Sequence, residues 1–239
     1  SNRKTFTGAA EESANSTNDY DYLEDTYFFL DEVYRENFRN SAPPSPNERV
    51  NVQSVRVFLN DFNAQNDIED SSIPGIAYAF WNNGSPDEIN SRRFDKGVEE
   101  GTFHELDPSQ FTIFPEGFLI HERGRVSPGF TLAVAYQTES GASYGDIQFI
   151  PEPGNLDKRI RLKLLKAKQQ RPVDPTWILS WRNVYRLGGR NIDPQGLLVG
   201  IFQNVPGEEP RDNQEGIPFL QIFGLDRHTN GSSASSPPD

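Results

Sequence analysis

The sequence predicts a mainly β fold of the α+β class: an antiparallel β-sandwich with an N-terminal helix and one or two short C-terminal helices packed on it. Three observations point there. Several short runs between residues 50 and 165 carry apolar and aromatic side chains in strand-like patterns, separated by polar turns. The 239 residues include 19 Gly and 18 Pro, a turn content foreign to a helical bundle. Apolar residues at three- and four-residue steps stand out in only two stretches, one towards each end.

In chain order, residues 1–20 are small and polar and read as a disordered lead-in. Over residues 21–42 the spacing predicts a helix, with Tyr27, Leu30, Tyr34 and Phe38 on one stripe and Asp25 as N-cap. Pro43-Pro44-Ser45-Pro46 ends it. A sandwich domain then spans residues 47–227. Its strands are Val50–Leu59, Ile76–Trp81, Phe111–Phe114 and Phe118–Ile120 around the turn Pro115-Glu116-Gly117, Phe130–Thr138 with a hairpin partner at Tyr144–Ile150, and Ile160–Leu165. Asp174-Pro175 is a helix-start pair, which predicts a helical insertion over 175–187. Trp177, Trp181, Val184 and Tyr185 share its face, Asn183 lies within it, and Gly188-Gly189 stops it. Trp177, Trp181, Asn183, Tyr185 and Gly188 are therefore the expected structural residues, clamping this helix on the sandwich. A turn at Asp193-Pro194-Gln195-Gly196 leads to a strand at Leu197–Phe202, Ile217–Gly224 gives a short helical turn, and residues 228–239 form a low-complexity, disordered tail.

Composition narrows the function. A net charge of −12 and no offsetting basic patch repel nucleic acid, so no nucleic-acid partner is expected. With Cys 0, thiol catalysis, cysteine-based zinc sites and disulfides are excluded. No apolar run is long enough to cross a bilayer as a helix. The chain contains no Met. It therefore reads as a segment of a longer protein, with Ser1-Asn2 as a remnant of tag cleavage. Phe, at 17 residues, dominates the aromatic content and predicts an aromatic-rich core.

Chemistry is sparse. His104, His121 and His228 lack a second His at metal-binding helical spacing, and no nucleophile elbow, zinc-protease motif or P-loop is present. Gly188-Gly189-Arg190 has a phosphate-loop look but closes a helix, where the dipole favours cations. A glycosidase needs two carboxylates across a cleft, and nothing singles out a pair among 35 acidic residues. Trp81, Tyr78 and Tyr136 are candidates for stacking on sugars, with core packing as the plainer alternative. Asp61, Asn63, Gln65, Asp67 and Glu69 place oxygen-bearing side chains at every second position, with Ile68 where a calcium loop has its apolar residue. Asn66 stands where that loop needs Gly and Ser72 where it needs a bidentate Glu, so a solvated loop competes with Ca²⁺ binding. No catalytic residue and no other cofactor is expected.

Five stretches, in order, carry a resemblance. Tyr27-Phe28-Phe29-Leu30 with Tyr34-Arg35-Glu36-Asn37-Phe38 is similar to a "YFL…FRxNY" helix, and Val50–Asn60 to a "VNITRIEVWVTN" strand. Phe130–Gln137 resembles a strand ending "LAVAYQY". Leu162–Lys166, Pro175-Thr176-Trp177 and Arg182–Gly188 together resemble "KLLK…PxWdLMMKNVYSLG", with Ser180-Trp181 in place of the paired Met. Gly216–Arg227 is similar to "GVPLLQLLGLDR". These motifs belong to the SprA (Sov) family, the outer-membrane translocon of the type IX secretion system, tied to gliding motility. The resemblance spans residues 20 to 227. It implies a soluble, non-catalytic structural or interaction module at the outer membrane and cell surface, part of the translocon's extracellular cap. Its partners would be the rest of the same translocon polypeptide, other type IX components or secreted proteins. The residues agree in lacking the ten-residue alternating segments of membrane barrel strands. Two rival functions are a carbohydrate-binding or adhesive module and a hydrolase with a concealed carboxylate pair.

Overall fold

The computed structural model describes residues 16–40, 42–65, 72–82, 84–151, 158–186 and 200–222. The chain divides into two compact units, residues 1–186 and 187–239. The boundary falls inside the span over which the sequence predicts one sandwich domain.

The first unit holds β1 (Tyr27–Phe29), α1 (Glu32–Arg39), β2 (Val50–Asn60), β3 (Ser72–Tyr78), β4 (Trp81–Asn82), β5 (Ser85–Pro86), α2 (Glu88–Ser91), β6 (Val98–Glu105), β7 (Phe111–Phe114), β8 (Phe118–His121), β9 (Thr131–Thr138), β10 (Ser143–Tyr144) and β11 (Ile160–Lys166). The mainly β class is as expected. The sandwich is not: the main sheet runs β9-β11-β3-β6-β2, and β2 pairs back onto β9, closing a five-stranded barrel. All its pairings are antiparallel except β3 with β11. A second, antiparallel sheet, β1-β8-β7, completes the unit's larger β structure.

Two features let the sheet close. Between Val50 and Val55, β2 advances five residues while β9 retreats only from Thr138 to Tyr136, a wide bulge that bends the long strand. Small residues then admit large ones across the narrow interior. Phe58, Ile73, Ala77, Phe103, Ala133, Ala135, Ile160, Leu162 and Leu164, drawn from all five barrel strands, form one buried apolar cluster. A Cβ on Gly75 would lie 2.8 Å from Ile160 Cγ2 and 2.9 Å from Phe103 Cδ2, so only glycine fits there.

The other core lies between the outside of the barrel and the small sheet. Val57, Leu132, Val134, Tyr136 and Leu165 pack there with Phe28, Phe29, Leu30, Tyr34 and Leu119. β9 is thus buried on both faces, which explains its unbroken apolar run. The unit therefore has two layers, but one of them is a closed barrel.

Several elements differ from expectation. The N-terminal helix begins at Glu32 with Asp31 as N-cap, and Tyr27–Phe29 is a strand. Phe28, Phe29 and Leu30 are consecutive and all buried, a demand that one helical stripe cannot meet. The strand read at Ile76–Trp81 starts four residues earlier and stops at Tyr78. Of the predicted Tyr144–Ile150 strand only Tyr144 pairs with β9, together with Ser143 before it. Past it, Gly145 takes a left-handed φ of 88° and Asp146 turns to hydrogen-bond Arg161. The predicted helix over 175–187 is a 3₁₀ turn, Pro175–Leu179, followed by extended chain. The hairpin around Pro115-Glu116-Gly117 forms as read. Gly117 sits at φ 87° against the Tyr34 ring, where a Cβ would lie 2.1 Å from Tyr34 Cγ.

In the second unit, β12 (Asn213–Gln214) and β13 (Ile217–Pro218) form a hairpin through Glu215 and Gly216, both at positive φ, followed by α3 (Phe219–Ile222). That short helix falls within the predicted Ile217–Gly224 turn. The predicted turn at 193–196 and residues 197–199 of the predicted Leu197–Phe202 strand lie outside the described residues, as do Gly188-Gly189-Arg190, most of the lead-in and the tail, and residues 200–202 belong to no strand.

Candidate functional site

The chain leaves β11 at a bulge between Leu164 and Lys166. There the Lys166 ammonium turns inward and donates to the carbonyls of Ser127 (3.0 Å) and Phe130 (2.9 Å). Burial lowers its pKa, opposed chiefly by the charge of Asp25. Asp25 is itself buried, at φ 45°, and burial raises its pKa against the pull of Lys166. The Asp25 carboxylate accepts a hydrogen bond from the Ser180 hydroxyl (3.3 Å).

From Ser180 the chain runs as an extended strap along β1. Ser180 bridges Phe28 antiparallel, Trp181 N–H donates to Tyr27 O (2.8 Å), and Leu23 N–H donates to Val184 O (2.8 Å). Tyr185 closes the strap by donating its hydroxyl to Asp19 O (2.9 Å). Backbone pairing with β1 thus overrides the helical spacing of Trp177, Trp181 and Tyr185. Asn183, in the same strap, is exposed.

Trp181 is the anchor. It stacks on Phe29 with centroids 4.9 Å apart and meets Phe38 (4.5 Å), Phe118 (5.5 Å) and Tyr27 (6.3 Å) more nearly edge-on. Phe118 stacks in turn on Phe114 (4.2 Å). Trp177 is different: it is only partly buried and carries the Arg182 guanidinium over its ring at 3.5 Å. Of the expected structural residues, Trp181 and Tyr185 hold the strap, Trp177 flanks it, and Gly188 lies outside the described residues.

A polar pin fixes α1 to the barrel. The Lys163 ammonium, almost fully buried, lies 2.7 Å from Asp31 Oδ2 and donates to Ala79 O at 2.7 Å. Beside it Tyr136, fully buried, stacks on Tyr144 at 4.7 Å, and Tyr34 donates its hydroxyl to Glu48 O. Burial raises the pKa of all three phenols above the ordinary tyrosine value of 10.0. Sequence spacing gives no sign of this pin, because Asp31 and Lys163 are far apart in the chain.

The remaining candidates fall elsewhere. Trp81, Tyr78 and Tyr136 are buried, at 6%, 2% and 0% exposure, so none offers a face to a sugar. Asp61 Oδ1 accepts from Asn63 N–H, and Asn63 Oδ1 from Gln65 N–H, so these side chains shape the turn after β2. Asp67 and Glu69 lie outside the described residues, and no cluster of three or more metal-ligating side chains occurs among the described ones. His104 lies on β6 opposite Leu59 and Ser72, and His228 lies outside the described residues. His121 lines a shallow cleft of about 460 Å³ with Tyr22, Glu24, Tyr27, Arg125 and Arg186. Its Nδ1 lies 2.7 Å from Gly124 O, and Arg125 is paired with Glu24 at 2.6 Å. The buried carboxylates are engaged separately: Asp25 by Ser180, Glu99 by Lys168 N–H and Asp174 by Arg171.

Fold and site together define a mainly β protein whose closed barrel carries an outer sheet sealed by an aromatic-anchored strap. No protein-family model matches the chain, and no curated protein matches it.

Proposed function

We propose that this chain is a non-catalytic structural and interaction module of a type IX secretion translocon, contributing to its extracellular cap at the outer membrane. The observation that carries this proposal is where the resembling motifs fall. Tyr27–Leu30 supplies β1, Val50–Asn60 is β2, Phe130–Gln137 covers most of β9, Leu162–Lys166 lies in β11, and Arg182–Tyr185 is in the strap. Four of the five motifs, scattered along the chain, thus converge on the two cores of the first unit, while Gly216–Arg227 falls in the second. That is the pattern of a shared framework.

In such a role the module works by surface complementarity and stiffness, shaping the pore mouth and contacting the rest of the translocon polypeptide, other secretion components or passing substrates. The experiment is genetic. Deleting the segment coding for residues 20–227 in the native organism should abolish accumulation of the secreted proteins in the medium. Epitope tags in the exposed 207–209 loop should be reached by antibody on intact cells. Normal secretion from the deletion strain, or a tag reached only after lysis, overturns the proposal. The sugar-binding alternative loses the rings that the sequence offered for it, since Trp81, Tyr78 and Tyr136 are buried.

A further inference from the structure

We propose that the outer edge of β1 is a strand-acceptor site for a second copy of this chain, which exchanges the element 175–186 and so forms a swapped dimer. The inference is independent of the secretion role. It rests on how that element is attached and on the loop that leads to it.

All five barrel strands are complete by Lys166, and none of them passes through residues 175–186. The element can leave without opening the barrel. The strap is held by edge pairing with β1 and the segment before it, by the Ser180 to Asp25 hydrogen bond and by the rings around Trp181. Every one of these contacts can be remade identically on another copy, so exchange conserves them.

The loop 168–173 supplies the bias. Gln169 sits in the left-handed region at φ 50°, a conformation that a residue with a Cβ adopts at a cost. Pro172 stiffens the same short loop, and Val173 is 72% exposed. A short, strained hinge favours an open, exchanged arrangement in which the loop straightens. The occupant is identified by chemistry already seen in place. The acceptor edge takes a hydroxyl opposite Asp25 and an indole between Phe29, Phe38 and Phe118, and the chain's own Ser180-Trp181 supplies both.

Because the protein has no Cys, introduced thiols report without background. Full-length Leu23→Cys and Val184→Cys variants, incubated together at high concentration and then oxidised, should give a disulfide-linked heterodimer, since these two residues are backbone neighbours in the strap. Light scattering should show a dimer fraction that rises with concentration. Gln169→Gly, which removes the strain at the hinge, should lower that fraction severalfold. A monomer at every concentration overturns the proposal. So does a dimer whose fraction ignores Gln169→Gly, whether or not the thiols crosslink, because its interface would then lie elsewhere.

Discussion

The inside of the barrel and the layer outside it are built on opposite plans. The interior is a size-matched apolar cluster: Phe58 and Phe103 are accommodated by Gly75, Ala77, Ala133 and Ala135, with the Arg56 guanidinium 5.1 Å from the Phe58 ring. The outer layer mixes phenylalanines with a Lys163–Asp31 pair and with the phenols of Tyr34 and Tyr136. Both are buried, yet the outer layer holds a buried ion pair, Lys163 with Asp31, whose charges depend on each other. The interior is specified by size, and the outer layer by chemistry. Each plan fails in its own way.

The largest effect is expected inside. Phe58→Ala leaves a void inside a closed barrel whose strands hold its walls in place, and the loss should be about 4 kcal/mol. Urea unfolding checks this. A loss near 1 kcal/mol would mean that the interior is loosely filled and the contrast with the outer layer is false. The next effect tests the pin and is asymmetric. Asp31→Ala strands the buried Lys163 ammonium with one carbonyl partner and should cost about 3 kcal/mol. Lys163→Met should cost clearly less, because Asp31 is a quarter exposed and can be hydrated. Equal losses in the two variants would show that the pair acts by volume, as the interior does.

The smallest effect is in pH. Tyr136 has a raised pKa in the folded state because it is buried, with Tyr34 and Asp31 nearby. The folded protein therefore holds the phenol proton after the unfolded chain has released it. Stability is complete below the ordinary tyrosine value of 10.0 and falls as pH rises above it. Tyr136→Phe should flatten the decline of the urea midpoint between pH 9.5 and about 11. An unchanged slope would remove this phenol from the account.

Legibility in the sequence follows the same division. β2, β7, β8, β9 and β11 are readable because their apolar runs and turn residues are local signals. β6 is not, since Val98–Glu105 carries Glu99, Glu100 and Glu105. Its charges are met only in the fold, by Lys168 N–H for Glu99 and by Arg56 for Glu105. Closure of the barrel was equally hidden, because an alternating strand looks the same in a sandwich and in a barrel. What decides is the size of inward residues on different strands, and Gly75 and Ala133 come together only once register is known. At the site, Trp181 and Tyr185 were readable as important aromatics, while their helical spacing misled. The W-x-x-x-W pattern is met here by a 3₁₀ turn and an edge strand that finds β1 from 150 residues away. The Lys163–Asp31 pin left no local trace at all.

The parallel pairing of β3 with β11 sets the order in which the molecule can assemble. Gly75 and Ile160 must meet across 85 positions of chain. The entropy of closing such a loop is about 4 kcal/mol, against about 1 kcal/mol for a tight hairpin such as β7–β8. Local hairpins can therefore form early, while the barrel stays unsealed until its last strand has been synthesised. During that interval the β3 edge is an open template for any passing strand. Newly made chains face their greatest exposure to misassociation then, and the rate of that single long-range closure governs how long it lasts.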